Sequence, residues 1–503
     1  MLDTVLLALA LCVCLVRSST VHYTARVANH FLQPDGFNRS GVLVNGQFPA
    51  PLISATKGDQ LSVNVLNSLT NSTMELGTSV HWHGILQHRT AYADGVAFVT
   101  QCPIRPQKSF MYNFGLTNQA GTFWYHSHIS LQYCDGLRGP LVIYDPDDPH
   151  RTLYDVDDES TIITIGDWYH LTAALTKLNR PPDTTVINGL GRYAGGPLVP
   201  LSIVNVQHGT RYRFRVLNIA CFPFYTFSID GHKLTVIGAD GTSVRPVTVD
   251  SIDIHAGQRY SVVVHADQPV SNYWIRANPN LGTLGFENGT NSAILRYHGA
   301  RPVDPDTTAT TTNLLKEQDL RPLVPSSIGD KVDVALNLDI EEAGEFGNFT
   351  VNGVQYNPPP LPVLLQILSG KFSASDLLPE GSVYVLPRNK LVEISMPGQG
   401  QFPQHPVHLH GHSFEVIRSA GSSEVHLIDP PARDVVSLGA ASDNVTIRFR
   451  TDNPGPWLLH CSHIDFHLQA GLAIVLAEAP EDQVTGPESQ IIPPSWKQLC
   501  EET

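Results

Sequence analysis

Apolar and polar positions along the chain change over short distances. Thr161–Ile165, Tyr260–Val264 and Val445–Phe449 are β-branched or aromatic runs set between Gly, Pro, Asn and Asp clusters, which is how strands separated by turns read in sequence. Helical spacing is scarce, and Ser373–Leu378 is the kind of short helix the pattern allows. The chain is therefore expected to be all-β, built of sandwiches or barrels. Two stretches interrupt the texture: acidic, proline-marked Asp145–Ser160, and Gly299–Pro325, rich in Pro, Thr and Asp. They predict units at about 20–150, 151–310 and 311–503, with residues 1–19 set apart.

An internal echo supports related units. His81-Trp82-His83-Gly84 in the first is matched by His408-Leu409-His410-Gly411 in the third. Gly121-Thr122-Phe123-Trp124-Tyr125-His126 is matched by Gly455-Pro456-Trp457-Leu458-Leu459-His460. The middle unit has a comparable strand, Asn272-Tyr273-Trp274-Ile275-Arg276, but no histidine pair.

Composition narrows the class. Of 503 residues only 16% are charged, and Gly and Pro number 39 and 37, which excludes a coiled coil, a collagen and a disordered chain. A formal net charge of −15 excludes the basic footprint of a nucleic-acid binder. Val5 to Val16 is apolar and runs into Arg17-Ser18-Ser19-Thr20, a length that suits a signal peptide rather than a bilayer span, although Asp3 stands where a positive charge is usual. A secreted, unanchored protein is expected. Removing the signal takes Cys12 and Cys14 and leaves Cys102, Cys134, Cys221, Cys461 and Cys500. An odd count in an oxidising compartment leaves one thiol for another task, and Cys461, flanked by His460 and His463, is nominated. Spacing alone does not pair the other four. Sequons occur at Asn38, Asn71, Asn288, Asn348 and Asn444.

The chemistry lies in the histidines. His81-x-His83, His126-x-His128, His405-x-x-His408-x-His410 and His460-Cys461-Ser462-His463, followed by His467, form four clusters. A lone histidine is usually surface or satisfied core, but residues two apart on a strand share a face, so each pair can present two imidazoles to metal. Imidazole suits copper, zinc, iron or nickel, and a thiolate narrows the choice to copper or zinc. His405 should face away from His408 and His410, and Cys461 away from His460. One site can then gather His405, Cys461 and His467, two histidines and a thiolate in the blue-copper manner. The other eight histidines gather behind it, too many for one metal and enough for three. Structural zinc, with its closed set of four ligands, fits less well.

These motifs resemble those of a fungal laccase of the basidiomycete type, a multicopper oxidase. The likeness spans nearly the whole mature chain: HWHG at 81–84, AGTFWYHSH at 120–128, YCDGLRGP at 133–140, FSIDGH at 227–232, NYWIRANP at 272–279, HPVHLHGHSF at 405–414 and TDNPGPWLLHC at 451–461. The resemblance implies three consecutive cupredoxin-like Greek-key domains, four copper ions, and one-electron oxidation of phenols and related aromatics coupled to four-electron reduction of dioxygen to water. It also implies a monomer without membrane or nucleic-acid partners. It makes His405, Cys461 and His467 type 1 ligands, with electrons entering at His467, and Leu472 the axial, non-coordinating residue. His81 and His408 match type 2 ligands. His83, His126 and His463 match one type 3 set, and His128, His410 and His460 the other. Asp94 matches an acid that relays protons, and the implied disulfides are Cys102–Cys500 and Cys134–Cys221.

Two departures stand out. The family reads His-Cys-His where this chain has Ser462 inserted before His463, which breaks the two-residue alternation unless a bulge absorbs it. Related laccases often carry an acid after the cysteine matching Cys221. Here Phe222 stands there as an expected pocket wall, and Asp183, near by in sequence, reads as a turn residue. Tyr92 and Phe466 occupy positions where tryptophan is also common. The rival readings are a ferroxidase-like oxidase and a copper-binding or electron-transfer protein impaired by Ser462.

Overall fold

The computed structural model describes residues 18–176, 180–309, 311–326, 328–329, 331–343, 348–398, 404–462 and 467–501. Alternation in the sequence becomes two-faced strands. Gln60–Asn67 buries Leu61, Val63 and Val65, and Ser109–Gly115 buries Phe110, Tyr112 and Phe114 against them. The first unit stacks the sheet containing Arg39–Val44, Thr20–Leu32, Gln60–Asn67 and Ser109–Gly115 on one containing Ile53–Thr56, Arg138–Tyr144, Gly121–Ser127 and Val80–His83. Six- and five-stranded sheets follow, with the strands Arg211–Asn218 and Arg259–His265 at the middle of the larger. The third unit pairs two five-stranded sheets and adds the hairpin Ile340–Ala343 with Asn348–Val351. The strand runs expected at 161–165, 260–264 and 445–449 fall within or beside the observed strands Ile162–Trp168, Arg259–His265 and Asn444–Arg450.

The expected helix at Ser373–Leu378 is instead a series of turns. Ser373 Oγ donates to Asp376 Oδ2 at 2.5 Å and its carbonyl accepts from Asp376 N–H, so polar side chains compete locally with helical bonding. The helix forms earlier, at Val363–Leu368, after Pro362 and before Gly370, and it buries Val363, Leu364 and Ile367.

Covalent links reach across the units. Cys134–Cys221 joins the first to the second, and Cys102–Cys500 ties the first unit to the helix Pro494–Glu501 at the other end of the chain. That helix sinks Trp496 and Leu499 into the first unit's core, where Trp496 Nε1 donates to the Thr100 carbonyl at 2.9 Å. No helix among the described residues is long and apolar enough to cross a membrane. Residues 1–17 of the expected signal lie outside the described residues.

Candidate metal centre

The echo in sequence is an echo in register. Val80–His83 pairs antiparallel with Gly121–Ser127, which sets His81 opposite His126. Pro406–Leu409 pairs with Gly455–Cys461, which sets His408 opposite His460 and Val407 opposite Cys461. Pairs two residues apart share a face, so His81, His83, His126, His128, His408, His410 and His460 converge in one buried cluster between the first and third units, none more than 3% exposed. Within it His81, His83 and His126, then His81, His408 and His410, then His128, His410 and His460 each bring donor atoms within 4.8 Å of one another. His463 lies outside the described residues.

Hydrogen bonds fix which ring nitrogen faces inward. Nδ1–H donates to a carbonyl or carboxylate oxygen in His81 (Asp94 O, 2.8 Å), His126 (Ser127 O, 2.8 Å), His408 (Asp434 O, 2.7 Å), His410 (Asp94 Oδ2, 2.9 Å) and His460 (Cys461 O, 2.8 Å). Each of these rings therefore turns an Nε2 lone pair to the interior. His83 is reversed: its Nε2 donates to Asp434 Oδ1 at 3.2 Å and leaves Nδ1 inward. The inward atoms of His81, His83, His126, His128 and His408 are buried with no hydrogen-bond partner among the described residues, and those of His410 and His460 face each other at 2.9 Å. Lone pairs opposed at that distance repel unless a cation lies among them. Burial, reinforced by neighbouring histidines, holds His126, His128 and His410 well below the ordinary imidazole range and pushes His460 down to about 3. Neutral imidazoles in this orientation can hold metal, and the cluster fits metal.

A second set lies on the far side of the same strand. Cys461 Sγ is 3.6 Å from His405 Nδ1 and 3.5 Å from His467 Nδ1, and those two nitrogens are 3.0 Å apart. The triangle has the size expected of donors converging on one ion at roughly 2.0–2.3 Å. Burial pushes His405 down to about 4. Leu472 N–H donates to the His467 carbonyl at 2.9 Å, the Leu472 carbonyl accepts from Cys461 N–H at 3.3 Å, and its side chain packs in the core with Cys461. His467 is 1% exposed rather than presenting an open edge: Phe222 meets it edge-on at 5.5 Å and Phe349 lies at 4.8 Å. The Phe222 backbone is held by Asp167, whose carboxylate accepts from Cys221 N–H at 2.9 Å and Phe222 N–H at 3.2 Å. Asp183 accepts from His170 N–H and from Arg180, the bonding of a local turn. Of the sequons, Asn38, Asn288, Asn348 and Asn444 are exposed, and Asn71 is half-buried.

Sequence reasoning missed the residues that hold the ligands from behind. Asp434 accepts from His83 through its carboxylate and from His408 through its carbonyl, and Arg259 clamps that carboxylate with bonds of 2.6 and 2.7 Å. Burial alone would raise the Asp434 carboxyl, but Arg259 outweighs it and holds it below the usual range. Arg259 belongs to the second unit, which contributes none of the nominated ligands, and its Nε donates to the Thr122 carbonyl on the strand that carries His126. Gly257 presses the same unit against the cluster, since a Cβ there would sit 3.1 Å from His83 Cε1. The signal available was weak: Asp434 lies at the bend between the short strands Ala432–Arg433 and Val435–Ser437, beside Arg433.

Three stretches, residues 26–148, 159–300 and 356–482, match families described as multicopper oxidase. The chain is 54% identical over 484 residues to a laccase of Pycnoporus cinnabarinus, covering 94% of this chain and 92% of that one. It is 56% identical over 486 residues, with the same coverages, to Laccase-2 of Trametes versicolor. Among solved structures, a laccase from Botrytis aclada matches with TM-score 0.84 at 31% identity, covering 96% and 91% of the two chains. Fet3p, described as a multicopper oxidase that functions in iron import, matches with TM-score 0.85 at 29% identity, covering 96% and 95%.

If Arg259 orients ligands through Asp434, Arg259→Ala weakens metal retention in the histidine cluster about 10- to 100-fold. The metal held with Cys461 should stay. Metal content per chain, measured with the thiolate absorption, checks this, and equal loss from both sets would count against it.

Proposed function

We propose how two donor sets share the work in this chain, which belongs to the multicopper oxidase family and is an oxidoreductase of the laccase type. The observation that carries the proposal is the adjacency of His460 and Cys461: one peptide unit joins the thiolate set to the histidine cluster. His405, Cys461 and His467 would hold a type 1 copper, and His81 with His408 a type 2 copper. His128, His410 and His460 would hold one type 3 copper, and His83 and His126, with His463, the other. Copper in these sets supplies one-electron chemistry, so that four one-electron oxidations of phenols or related aromatic donors balance the reduction of one dioxygen, with four protons, to two waters.

The chain's own residues do the rest. An aromatic donor docks against Phe222, whose ring edge lies on His467, and electron transfer proceeds across that contact. Cys461 passes the electron on through its backbone to His460, whose Nδ1–H is bonded back to the Cys461 carbonyl. A cavity of about 390 Å³, lined in part by His128, Tyr356, Leu458 and Leu468, gives dioxygen an apolar approach to the cluster. Asp94 orients His81 and His410, and its Oδ1, 3.2 Å from His81 Nδ1 and without a hydrogen-bond partner among the described residues, is the atom on which a proton bound for the cluster rests. Gly95 permits this placement: at φ +83° its backbone lies so close to the Val80 carbonyl that a Cβ would meet it at 1.8 Å. The protein acts outside the cell, as a monomer, after removal of residues 1–19.

The first test is an absorption spectrum with a copper count. An intense blue thiolate band, a near-ultraviolet shoulder and four coppers per chain are expected, with Ser462 accommodated as a bulge. A blue band with fewer coppers and no shoulder would favour the electron-transfer reading, because Ser462 stands between Cys461 and the type 3 ligand assigned to His463. Asp94→Asn keeps an acceptor for His410 but removes the proton carrier. It should lower kcat by at least about 100-fold with the copper count retained, and an unchanged kcat would remove Asp94 from proton transfer. Phe222→Asp supplies an acceptor for the phenolic proton and should lower KM for phenols about tenfold, leaving a non-phenolic donor unchanged. An equal shift for both donors would mean that Phe222 acts only by packing.

A further inference from the structure

One turn of the second unit is wedged between the other two. The strands Leu234–Ala239 and Thr242–Val249 are joined by the two-residue loop Asp240-Gly241, with Ala239 opposite Thr242. Asp240 sits at φ +49°, a left-handed conformation that aspartate tolerates better than most residues. Gly241 brings the tip against the first unit: a Cβ there would lie 2.9 Å from the ring of Phe123, on the strand that carries His126. On its other side the tip meets the third unit where that chain leaves one sheet for the other. Ala432–Arg433 is the edge of the sheet containing Phe414–Arg418, and Val435–Ser437 is the edge of the sheet containing Pro406–Leu409. Asp434 is the residue between them.

The buried Asp240 carboxylate accepts from N–H donors on both oxygens. Oδ1 takes Arg259 N–H at 2.9 Å and Arg433 Nη2 at 3.3 Å. Oδ2 takes Arg433 Nε at 3.1 Å, Asp434 N–H at 3.1 Å and Val435 N–H at 3.3 Å. The last two bonds hold the peptide planes on either side of the Asp434 Cα, and each plane is rigid. The second plane carries the Asp434 carbonyl that accepts from His408, and the side chain between the planes carries the carboxylate that accepts from His83. His83 and His408 come from different units and were placed in different copper sets, yet both take their orientation from Asp434. Arg433, buried in its turn, extends the chain of bonds outward: its Nη1 donates to Glu317 Oε1 at 2.7 Å and to the Tyr260 hydroxyl at 3.3 Å. Glu317 is half-buried and belongs to the stretch that joins the second unit to the third.

We propose that Asp240 is a positioning residue for the histidine cluster, fixing the type 2 ligand His408 and the type 3 ligand His83 together by holding the backbone around Asp434. The inference rests on the copper sets assigned above, and it implies a selective fault. His410 and His460 are oriented by Asp94 and by the Cys461 carbonyl, and the thiolate set lies across the strand, so those two coppers should be spared. Asp240→Asn keeps the shape, but whichever way the amide turns, its NH₂ faces N–H donors. Wild type and variant, copper-loaded and full-length, are dialysed against a graded copper chelator while copper per chain, the type 2 electron paramagnetic resonance, the near-ultraviolet shoulder and the blue band are followed together. The variant should lose up to two coppers at a chelator concentration about 10- to 100-fold lower than wild type. The type 2 resonance and the shoulder should fall while the blue band stays. The type 2 copper still in place should show a shifted hyperfine splitting, which a general loss of stability would not produce. Glu317→Gln, at the outer end of the same chain of bonds, leaves the Asp240 carboxylate intact and should weaken the same coppers at least about twofold. If Asp240→Asn does not fold, Glu317→Gln decides alone, and unchanged retention overturns the proposal. A wild-type protein without four coppers would overturn the assignment of the sets and this inference with it. Four coppers in the wild type, with variants that retain them all or lose the blue band in step with the rest, would overturn the positioning role alone.

Discussion

Successive side chains on a strand point to opposite faces, so His460 and Cys461 cannot enter the same metal set. Much else in the architecture follows from that constraint. The strand Gly455–Cys461 is central in its sheet, between Pro406–Leu409 and Ala473–Glu478, and each neighbour serves one or both of its faces. His408 lies opposite His460 on the cluster side, while Leu472, just before the other neighbour, is bonded through its backbone to Cys461 and His467. The thiolate set can thus be enclosed by Phe222, Phe349 and Leu472 while the histidine set is enclosed by the first unit. The distance between them stays fixed by one peptide bond.

A cluster of neutral imidazoles needs outward acceptors as much as an inward ion, because each ring has a second nitrogen to satisfy. Backbone carbonyls of Asp94, Ser127, Asp434 and Cys461 provide most of them. Carboxylates are used where rings from different units meet: Asp94 of the first unit holds His410 of the third, and Asp434 of the third holds His83 of the first. These crossed contacts make the cluster a joint that cannot load correctly unless the units are docked. Arg259 brings the second unit into the same joint. An isolated buried Asp434 carboxylate would be strongly disfavoured, and a bidentate guanidinium is the geometry that compensates it.

The all-β texture, the repeated His-x-His pairs and the division into two donor sets were legible because each depends on local periodicity. Face assignment needs only residue spacing, and the structure groups His405 with Cys461 and His467, and His410 with His128 and His460. Asp434 and Arg259 were not legible, since their importance arises from pairing residues 175 positions apart. The helix at Val363–Leu368 was missed for a related reason: six residues are too few to show helical spacing, and only docking against the first unit's core and the neighbouring cluster shows which face is covered.

The surroundings of the thiolate set also bear on which donor the enzyme takes. A metal-ion donor such as ferrous iron would need carboxylates beside His405 or His467 to bind the cation before it gives up an electron. Among the described residues, the phenyl rings that meet these histidines are Phe222 and Phe349, and the nearby acid that sequence adjacency suggested, Asp183, is engaged with Arg180 and His170. Asp167 is closer to Phe222 through the backbone, but it is fully buried and paired with Arg138 at 2.8 Å. An aromatic wall attracts aromatic donors by stacking and dispersion.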